Sequence, residues 1–200
     1  MTTPFPTDPS ILPGSVQVTH VGPVFRVERC EVRDRQGRVA RRDMVRHPGA
    51  VTVIPVLADG RLVVIRNHRV AVAERLLEFC AGKLEPGEEP AVAAARELEE
   101  ECGYRAGRVE SLGMFYTSPG FADERMHVFL ATELVPVDRR LEPGEEIDVE
   151  LCSAAELERR IASGEVRDGK TLGAYLVWRL RGVWSHRGAA GPSAGPTPAP

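Results

Sequence analysis

Hydrophobic and polar residues alternate through the first quarter of the chain in a way that predicts β-strands. The segments with this period-two pattern are Val16–Val21, Val24–Val32 and Arg38–Arg46. Asp34-Arg35-Gln36-Gly37 separates the last two and has the composition of a turn. These segments are expected to form a small antiparallel sheet.

The pattern then becomes more apolar and afterwards changes to a helical one. A run beginning at Gly49 contains Asp59-Gly60, the strongest hairpin signal in the chain. Glu89–Cys102 is the first predicted helix, with Pro90 suited to its first turn and Gly103 to the position after its end. Further strands are predicted at Val109–Thr117, Met126–Ala131 and Ile147–Cys152, and further helices at Ala154–Ala162 and Thr171–Arg181. This order predicts a mixed α/β sandwich.

Length and composition are those of a globular protein with one main domain. The chain has 200 residues, of which 42% are hydrophobic and 28% charged. The predicted organisation has four parts: a disordered amino terminus (1–15), an amino-terminal sheet (16–48), a main domain (49–185) and a disordered tail (186–200).

Charge and hydropathy exclude several classes of function. A net charge of -3 argues against a sequence-independent nucleic-acid binder, which would be basic overall. No apolar stretch is long enough to cross a membrane, and the amino terminus lacks the features of a signal peptide. The four cysteines form no CxxC pair, so reduced thiols and a cytoplasmic location are expected.

The predicted helix carries three carboxylates on one face. Glu97, Glu100 and Glu101 have the spacing i, i+3 and i+4, and like charges at that spacing repel. A solvated acidic surface is one interpretation. A hard divalent cation bound between the carboxylates is the other.

The flanking residues favour the second interpretation, because they resemble the Nudix box. The matching positions are Gly82, Glu88, Arg96, Glu97, Leu98, Glu100, Glu101 and Gly103, whereas Tyr104 departs from the usual aliphatic residue. A chance match of eight specified residues at one starting point is on the order of one in a billion. The resemblance to Nudix hydrolases implies an α/β/α sandwich with a mixed sheet, here preceded by the small antiparallel sheet.

The resemblance also implies roles for these residues. Glu97, Glu100 and Glu101 would bind the metal together with the backbone carbonyl of Ala81, and Glu88 would support the site. Arg96 would pair with a carboxylate and hold it in place. The implied cofactor is Mg²⁺, with Mn²⁺ as an alternative.

Segments outside the box resemble the ADP-ribose pyrophosphatase subfamily. Thr117-Ser118-Pro119-Gly120 is similar to its proline signature, and Pro119 and Gly120 would contribute to substrate binding. Arg66-Asn67-His68-Arg69 and the Leu77–Gly82 segment resemble its Arg-Gln-Tyr-Arg and Leu-Glu-Leu-Pro-Ala-Gly segments. By this resemblance Arg69 would contact phosphate, Arg66 would also contact substrate, and Glu78 would lie near the site. An ordinary turn and surface charges are the alternatives.

The amino-terminal segment resembles the sheet through which relatives form a swapped homodimer. In such dimers Phe25 would stack on the base and Arg46 would reach a phosphate. A core aromatic residue and a surface charge are equally compatible with the sequence.

The catalytic base is expected in an acidic segment between two strands, where relatives carry a flexible glutamate. Glu145 is the first candidate and Glu146 the second, while Glu124 after the proline signature is a third. A solvated charged turn is the alternative for each of these residues.

The predicted activity is metal-dependent hydrolysis of ADP-ribose to AMP and ribose 5-phosphate. A GDP-mannose or UDP-glucose type substrate is the nearest alternative, because Asn67 and His68 depart from the subfamily segment. A non-catalytic nucleotide-binding regulator is a further alternative, although all three box carboxylates are present. The implied partners are a small nucleoside diphosphate sugar and a second copy of the chain, without nucleic acid or membrane.

Overall fold

The computed structural model describes residues 8–181, which begin with the expected antiparallel sheet. Its strands are β1 (Gln17–Val21), β2 (Arg26–Arg33) and β3 (Val39–Arg46), in the order β1-β2-β3. The predicted turn joins β2 to β3. There the Asp34 carboxylate accepts the backbone N–H groups of Gln36 and Arg38, and Gly37 has a φ of 81°. The three predicted strands are therefore confirmed.

Residues just before β1 also belong to this sheet. Ile11 forms a β-bridge with Val32, and the backbone N–H of Leu12 donates to the Glu31 carbonyl. The prediction of disorder is therefore wrong for residues 10–12, because their backbone groups have partners on β2. The predicted tail from residue 186 and the first seven residues lie outside the described residues.

The main domain contains two further sheets. The strands after the amino-terminal sheet are β4 (Ala50–Pro55), β5 (Leu62–Arg69), β6 (Glu74–Glu78), β7 (Ala81–Lys83), β8 (Tyr104–Tyr116), β9 (Arg125–Pro136) and β10 (Ile147–Cys152). One sheet has the order β7-β4-β9-β8, in which β4 and β9 are parallel, and the other has the order β10-β5-β6. The parallel pair makes the first of these a mixed sheet.

Two helical layers cover the sheets from opposite sides, as the alternation of side chains on β4 and β5 shows. Val53 and Val63 pack in a core with Ala93 and Leu98, whereas the next residue on each strand does not. Ile54 and Val64 pack in a second core with residues of the two carboxyl-terminal helices. Successive strand residues point to opposite faces, so the architecture is the predicted α/β/α sandwich.

The helices agree with the sequence prediction except in one turn and in the last helix, which begins and ends two residues before the predicted Thr171–Arg181. They are α1 (Pro90–Glu97), α2 (Ala154–Ala162) and α3 (Gly169–Arg179). Leu98–Cys102 continues α1 as a π-helical turn, and Gly103 ends it in the left-handed conformation with a φ of 72°. An uninterrupted α-helix to Cys102 was the wrong prediction. A π turn changes the backbone hydrogen bonding to i→i+5, and such turns are frequent at functional sites.

Two short strands were absent from the prediction. β6 and β7 have three to five residues each and contain charged or glycine residues without a clear period. Their position matters because they end beside the acidic residues of α1 and the π turn. Among residues 8–181, no helix combines the length and apolar composition needed to cross a membrane.

Candidate active site

The acidic residues of α1 and the π turn face strand β7 across a tight contact. Gly82 permits this contact: a Cβ atom built on it would lie 1.8 Å from Glu97 Oε1. The Glu101 carboxylate accepts the backbone N–H of Ala81 at 3.0 Å. A larger residue at position 82 would therefore force the Glu97 carboxylate to move.

Arg96 joins the carboxylates of this region. Its guanidinium donates to both oxygens of Glu88 at 3.0 Å, to Glu97 Oε1 at 2.7 Å and to Glu100 Oε2 at 3.1 Å. The Glu88 hydrogen bonds and the nearby negative charges raise the pKa of Arg96, which stays protonated. The predicted pairing of Arg96 with a carboxylate is present, and Glu88 supports Arg96.

Burial raises the pKa of two of the carboxylates. Glu97 and Glu101 are 8% and 3% exposed. Desolvation raises the pKa of Glu101 to about 8; the Ala81 N–H opposes this shift, and the charges of Glu97 and Glu145 add to it. Desolvation also raises the pKa of Glu97 against the opposing effect of Arg96. A cation bound here would stabilise both ionised groups.

A cavity of about 700 Å³ lies beside these carboxylates. Ala81, Arg96, Glu97 and Glu101 form one wall of it. Other residues of the wall include Val24, His47, Arg69, Thr117, Ser118, Glu124, Glu145, Asp168 and Lys170. The cavity is large enough for a small organic ligand.

The two predicted subfamily residues Arg69 and Glu78 meet at this cavity. Arg69 Nε and Nη2 donate to the two oxygens of Glu78 at 2.8 and 2.6 Å. Glu78 is fully buried, whereas the Arg69 side chain is 36% exposed and lines the cavity. The Glu78 hydrogen bonds raise the pKa of Arg69 despite burial, so a permanent positive charge faces the acidic wall.

Arg66 is not brought to the cavity. Its guanidinium hydrogen-bonds Glu150 and lies 2.5 Å from Glu165 on the far side of β5, and it is absent from the cavity wall. The reason is the strand period: Arg66 and Arg69 differ by an odd number of residues, so they point to opposite faces. The structure therefore offers no support for a substrate contact by Arg66.

The three candidates for the base have different positions. Glu145 lines the cavity and contributes to the raised pKa of both Glu97 and Glu101. Glu124 also lines it, accepts the Thr117 hydroxyl at 2.5 Å and lies 3.8 Å from His47 Nδ1. Glu146 is exposed and does not line the cavity. Glu145 and Glu124 remain candidates on position.

Only two of the four residues of the proline signature, Thr117-Ser118-Pro119-Gly120, line the cavity. Thr117 and Ser118 line the wall, whereas Pro119 and Gly120 are exposed in the following turn. The loop is anchored to β3, since the Val45 N–H donates to the Phe121 carbonyl at 2.8 Å and the Val45 carbonyl accepts the Asp123 N–H at 3.1 Å.

Phe25 and Arg46 line an adjoining cavity of about 860 Å³, between the amino-terminal sheet and the loop after β7. The Phe25 side chain is 42% exposed. Arg46 donates to Glu28 at 2.8 Å and to Asp123 at 3.1 Å, so it links the sheet to the loop 117–124. His47 and Val24 line both cavities. The two residues predicted to contact the base and a phosphate therefore lie next to the acidic cavity.

Sequence reasoning missed several residues of the wall. Asp168, Lys170 and His47 belong to it, and none lies within a motif used above. A signal existed for one of them: Asp168 followed by Gly169 at the start of an apolar periodic segment is a helix amino-terminal signature. His47 carried no comparable pattern.

Comparison with known proteins agrees with this geometry. The NUDIX domain family model matches residues 46–172, which is more than half of the chain. The chain belongs to the Nudix family. An ADP-ribose pyrophosphatase of Bacillus subtilis is 42% identical over 147 residues, covering 72% of this chain and 78% of that protein. An ADP-ribose pyrophosphatase of Mycobacterium tuberculosis is 37% identical over 166 residues, covering 82% and 80%.

Two further comparisons extend over most of the chain. A methanol dehydrogenase activator of Bacillus methanolicus is 36% identical over 168 residues, covering 83% of this chain and 91% of the relative. A crystal structure of an ADP compounds hydrolase superposes with a TM-score of 0.73 and 25% identity, covering 88% of this chain and 96% of the other. The fold of most of the chain is therefore shared with that hydrolase.

The Nudix box of this chain fits a divalent cation by its donor set. Glu97, Glu100 and Glu101 offer only carboxylate oxygens, which Mg²⁺ and Mn²⁺ prefer. Within residues 8–181, no three acidic, His or Cys side chains converge on one point at ligand distance. Arg96 lies between Glu97 and Glu100 and supplies positive charge there. A bound cation would replace part of this interaction.

Proposed function

We propose that the chain hydrolyses ADP-ribose to AMP and ribose 5-phosphate with a divalent cation, of which Mg²⁺ is the first candidate. The observation that carries the proposal is the cavity itself. The acidic wall of Glu97 and Glu101 faces Arg69, held by buried Glu78, within about 700 Å³. Such a site suits a diphosphate, whose charge needs cations on more than one side. The two ADP-ribose pyrophosphatase relatives support the choice of substrate.

Binding and positioning are assigned to the cavity residues. Glu97, Glu100, Glu101 and the Ala81 carbonyl would hold the cation, and Arg96 would orient these carboxylates. A cation at this site supplies charge neutralisation of the phosphoryl oxygens. Arg69 would bind a phosphoryl oxygen of the substrate through the N–H groups that face the cavity. The N-terminal side, with Phe25 and Arg46 in the adjoining cavity, would receive the adenosine half.

Glu145 is our candidate for the general base. It would accept a proton from the attacking water as the water oxygen bonds to the phosphorus of the AMP half and the bond between that phosphorus and the bridging oxygen breaks. The sugar-phosphate half then leaves as ribose 5-phosphate. Both carboxylates accept a hydrogen bond, Glu145 from the Glu142 N–H and Glu124 from the Thr117 hydroxyl. Glu145 is preferred because its charge contributes to the raised pKa of both Glu97 and Glu101, so it lies close to the acidic wall.

We also propose a homodimer formed through the amino-terminal sheet. Val18 and Val21 on β1 and Val39 on β3 are 55%, 73% and 48% exposed, an unusual number of apolar side chains on one small sheet. A Val18→Glu, Val21→Glu double variant should elute as a monomer in size-exclusion chromatography with light scattering. Dimerisation of that variant at unchanged affinity would contradict the proposal.

A reducing location, the cytoplasm, is proposed from the cysteines. All four are free and buried, which is typical of proteins that function in reducing compartments. Contact with the Cys102 thiol and burial raise the pKa of the Cys80 thiol, so it remains protonated.

The deciding experiment is turnover of a substrate panel: ADP-ribose, GDP-mannose, UDP-glucose, NADH and diadenosine polyphosphates, each with Mg²⁺, Mn²⁺ or EDTA. We expect the highest kcat/KM for ADP-ribose and no turnover in EDTA. Metal-dependent cleavage that favours GDP-mannose or UDP-glucose would replace the substrate and keep the reaction. Nucleotide binding without turnover of any compound would support a regulatory Nudix domain instead.

A further inference from the structure

Lysine is rare in this chain, and both lysines line the same cavity. Of the 26 basic residues 24 are arginine, and the two lysines are Lys83 and Lys170. Arginine has a broad planar group that suits bidentate contacts, whereas lysine has a compact ammonium with rotatable donors. A chain that uses arginine almost everywhere but keeps lysine at a cavity wall therefore indicates a requirement for a compact charge there.

Lys170 also violates a local preference of its helix. Asp168 is the N-cap of α3, and its Oδ2 accepts the Thr171 N–H at 2.9 Å, which places Lys170 in the first helical turn. The positive end of the helix dipole disfavours a cation in that turn. Departures from local preference are expected at functional positions, and Lys170 lies at the cavity.

Two carboxylates hold the Lys170 ammonium in place. Nζ lies 2.5 Å from Asp168 Oδ1 and 3.5 Å from Glu78 Oε2. Asp168 is in turn fixed by the Thr171 hydroxyl at 2.7 Å, and that hydroxyl accepts the Phe79 N–H at 2.9 Å. The ammonium has three N–H donors, so one remains for a ligand in the cavity.

Glu78 also binds Arg69, so one buried carboxylate fixes both cations. The quartet of Arg69, Glu78, Asp168 and Lys170 has no net charge, and Glu78 and Asp168 are 0% and 7% exposed. The Lys170 side chain is 23% exposed and Arg69 36%, so the two positive ends are the accessible parts. Fixed cations backed by buried carboxylates are preorganised to bind an anion.

The position of the quartet distinguishes the two halves of the substrate. Val24 and His47 reach the cavity from the side of the amino-terminal sheet, while Lys170 reaches it from α3 and Arg69 from β5. Phe25 and Arg46 line the adjoining cavity on the sheet side. If the adenosine half binds towards the sheet, the quartet meets the other half.

We propose that Lys170, acting with Arg69, binds the phosphoryl group of the sugar-phosphate half of the substrate, the half that leaves as ribose 5-phosphate. The inference rests on the proposed function and names a substrate-specificity residue for it. Lys170 is thus a substrate-binding residue, whereas Asp168 and Thr171 position it.

The test compares Lys170→Met with Arg167→Met, an exposed cation on the same segment that pairs with Glu74 and does not line the cavity. For each protein, kcat, KM and the inhibition constants of both products are measured. Lys170→Met should lower kcat/KM at least tenfold and raise the inhibition constant of ribose 5-phosphate at least fivefold. The AMP constant should change less than twofold, and Arg167→Met should resemble the parent. Equal weakening of both products, or no weakening, would overturn the proposal.

A measurement on the parent protein covers the case in which the variant does not fold. Acetylation by acetic anhydride, followed by mass spectrometry of peptides, reports on Lys83 and Lys170 separately. Ribose 5-phosphate should slow acetylation of Lys170 more than AMP does. Stronger protection by AMP, or no protection by either product, would contradict the assignment. If the parent prefers another nucleotide sugar, its own two products replace these probes, so failure of the substrate assignment stays separate from failure of Lys170.

Discussion

Gly82→Ala tests the close packing between β7 and the acidic helix. The added Cβ would lie 1.8 Å from Glu97 Oε1 and 2.0 Å from its Cδ, whereas ordinary contacts begin at 3.4 Å. The Glu97 carboxylate must therefore move by at least about 1.6 Å, because the new Cβ is attached to the backbone of β7, which is held by its pairing with β4. Metal ligands tolerate displacements of roughly 0.2 Å.

The expected result is a loss of kcat by about 100-fold or more, because a misplacement on the order of 1 Å in a catalytic group has such an effect. Stability should fall by roughly 1–3 kcal/mol from overpacking. The assays are kcat as a function of Mg²⁺ concentration and urea unfolding of the same preparation. We expect the Mg²⁺ concentration for half-maximal activity to rise.

Gly60→Ala is the matched control. Gly60 lies in the turn between β4 and β5 with a φ of 84° and no neighbouring atom within 4 Å of a Cβ, so alanine there costs roughly 1–2 kcal/mol of stability through backbone strain alone. Its kcat and its Mg²⁺ dependence should equal those of the parent. Parent-like turnover of Gly82→Ala would refute the assignment of Glu97 to the metal site.

Three further predictions concern charged groups of the cavity. Arg69→Met should raise KM at least tenfold and lower stability by about 3 kcal/mol or more, because buried Glu78 loses its bidentate partner; enzyme kinetics and urea unfolding measure both, and unchanged values would contradict the assigned contact. Glu145→Gln should lower kcat about 100-fold with little change in KM, whereas Glu146→Gln should stay near the parent; the reverse order would remove Glu145 as the base. In EDTA, the pKa of Glu101 is raised to about 8, so the folded protein binds this proton more tightly than the unfolded chain does. The contribution of Glu101 to the free energy of unfolding is therefore greatest below pH 4.5 and is lost as the pH rises from there through 8. Urea unfolding should show this fall, on the order of 5 kcal/mol at most, reduced in Glu101→Gln and in the parent with excess Mg²⁺; a flat difference between parent and variant from pH 5 to 8.5 would contradict it.

Much of the fold could be predicted from local pattern. The turn at Asp59-Gly60, the helix end at Gly103 and the exact extent of α2 depend on turn chemistry and period, which the sequence carries directly. The hairpin predicted at that turn is not formed, because β4 and β5 pair within different sheets. β6 and β7 could not be predicted, because short strands are stabilised by pairing with β5 and β4 and not by their own composition. The π turn likewise has no local signal.

The candidate site was predictable where a motif specified it. The box residues Arg96, Glu97 and Glu100 contact one another, since the spacing within a motif reflects contacts within one structural unit. Arg69 and Glu78, which were predicted separately to contact phosphate and to lie near the site, form an ion pair. Lys170 comes from a helix about 100 residues after Arg69 in the sequence, and nothing local connects the two. Arg66 shows the opposite case: it belongs to the motif but lies on the other face of its strand. Whether a residue reaches the cavity therefore depends on the tertiary arrangement.

The backbone hydrogen bonds between β3 and the loop at residues 117–124 affect how the chain can be divided. The NUDIX match begins at residue 46, which is the last residue of β3. Val45 lies just before that boundary, where its N–H donates to the Phe121 carbonyl and its carbonyl accepts the Asp123 N–H. A fragment beginning at residue 46 would leave two backbone groups of the loop without partners, next to Glu124 at the cavity. The amino-terminal sheet thus holds the loop at residues 117–124 in its conformation, and a minimal catalytic fragment has to include that sheet.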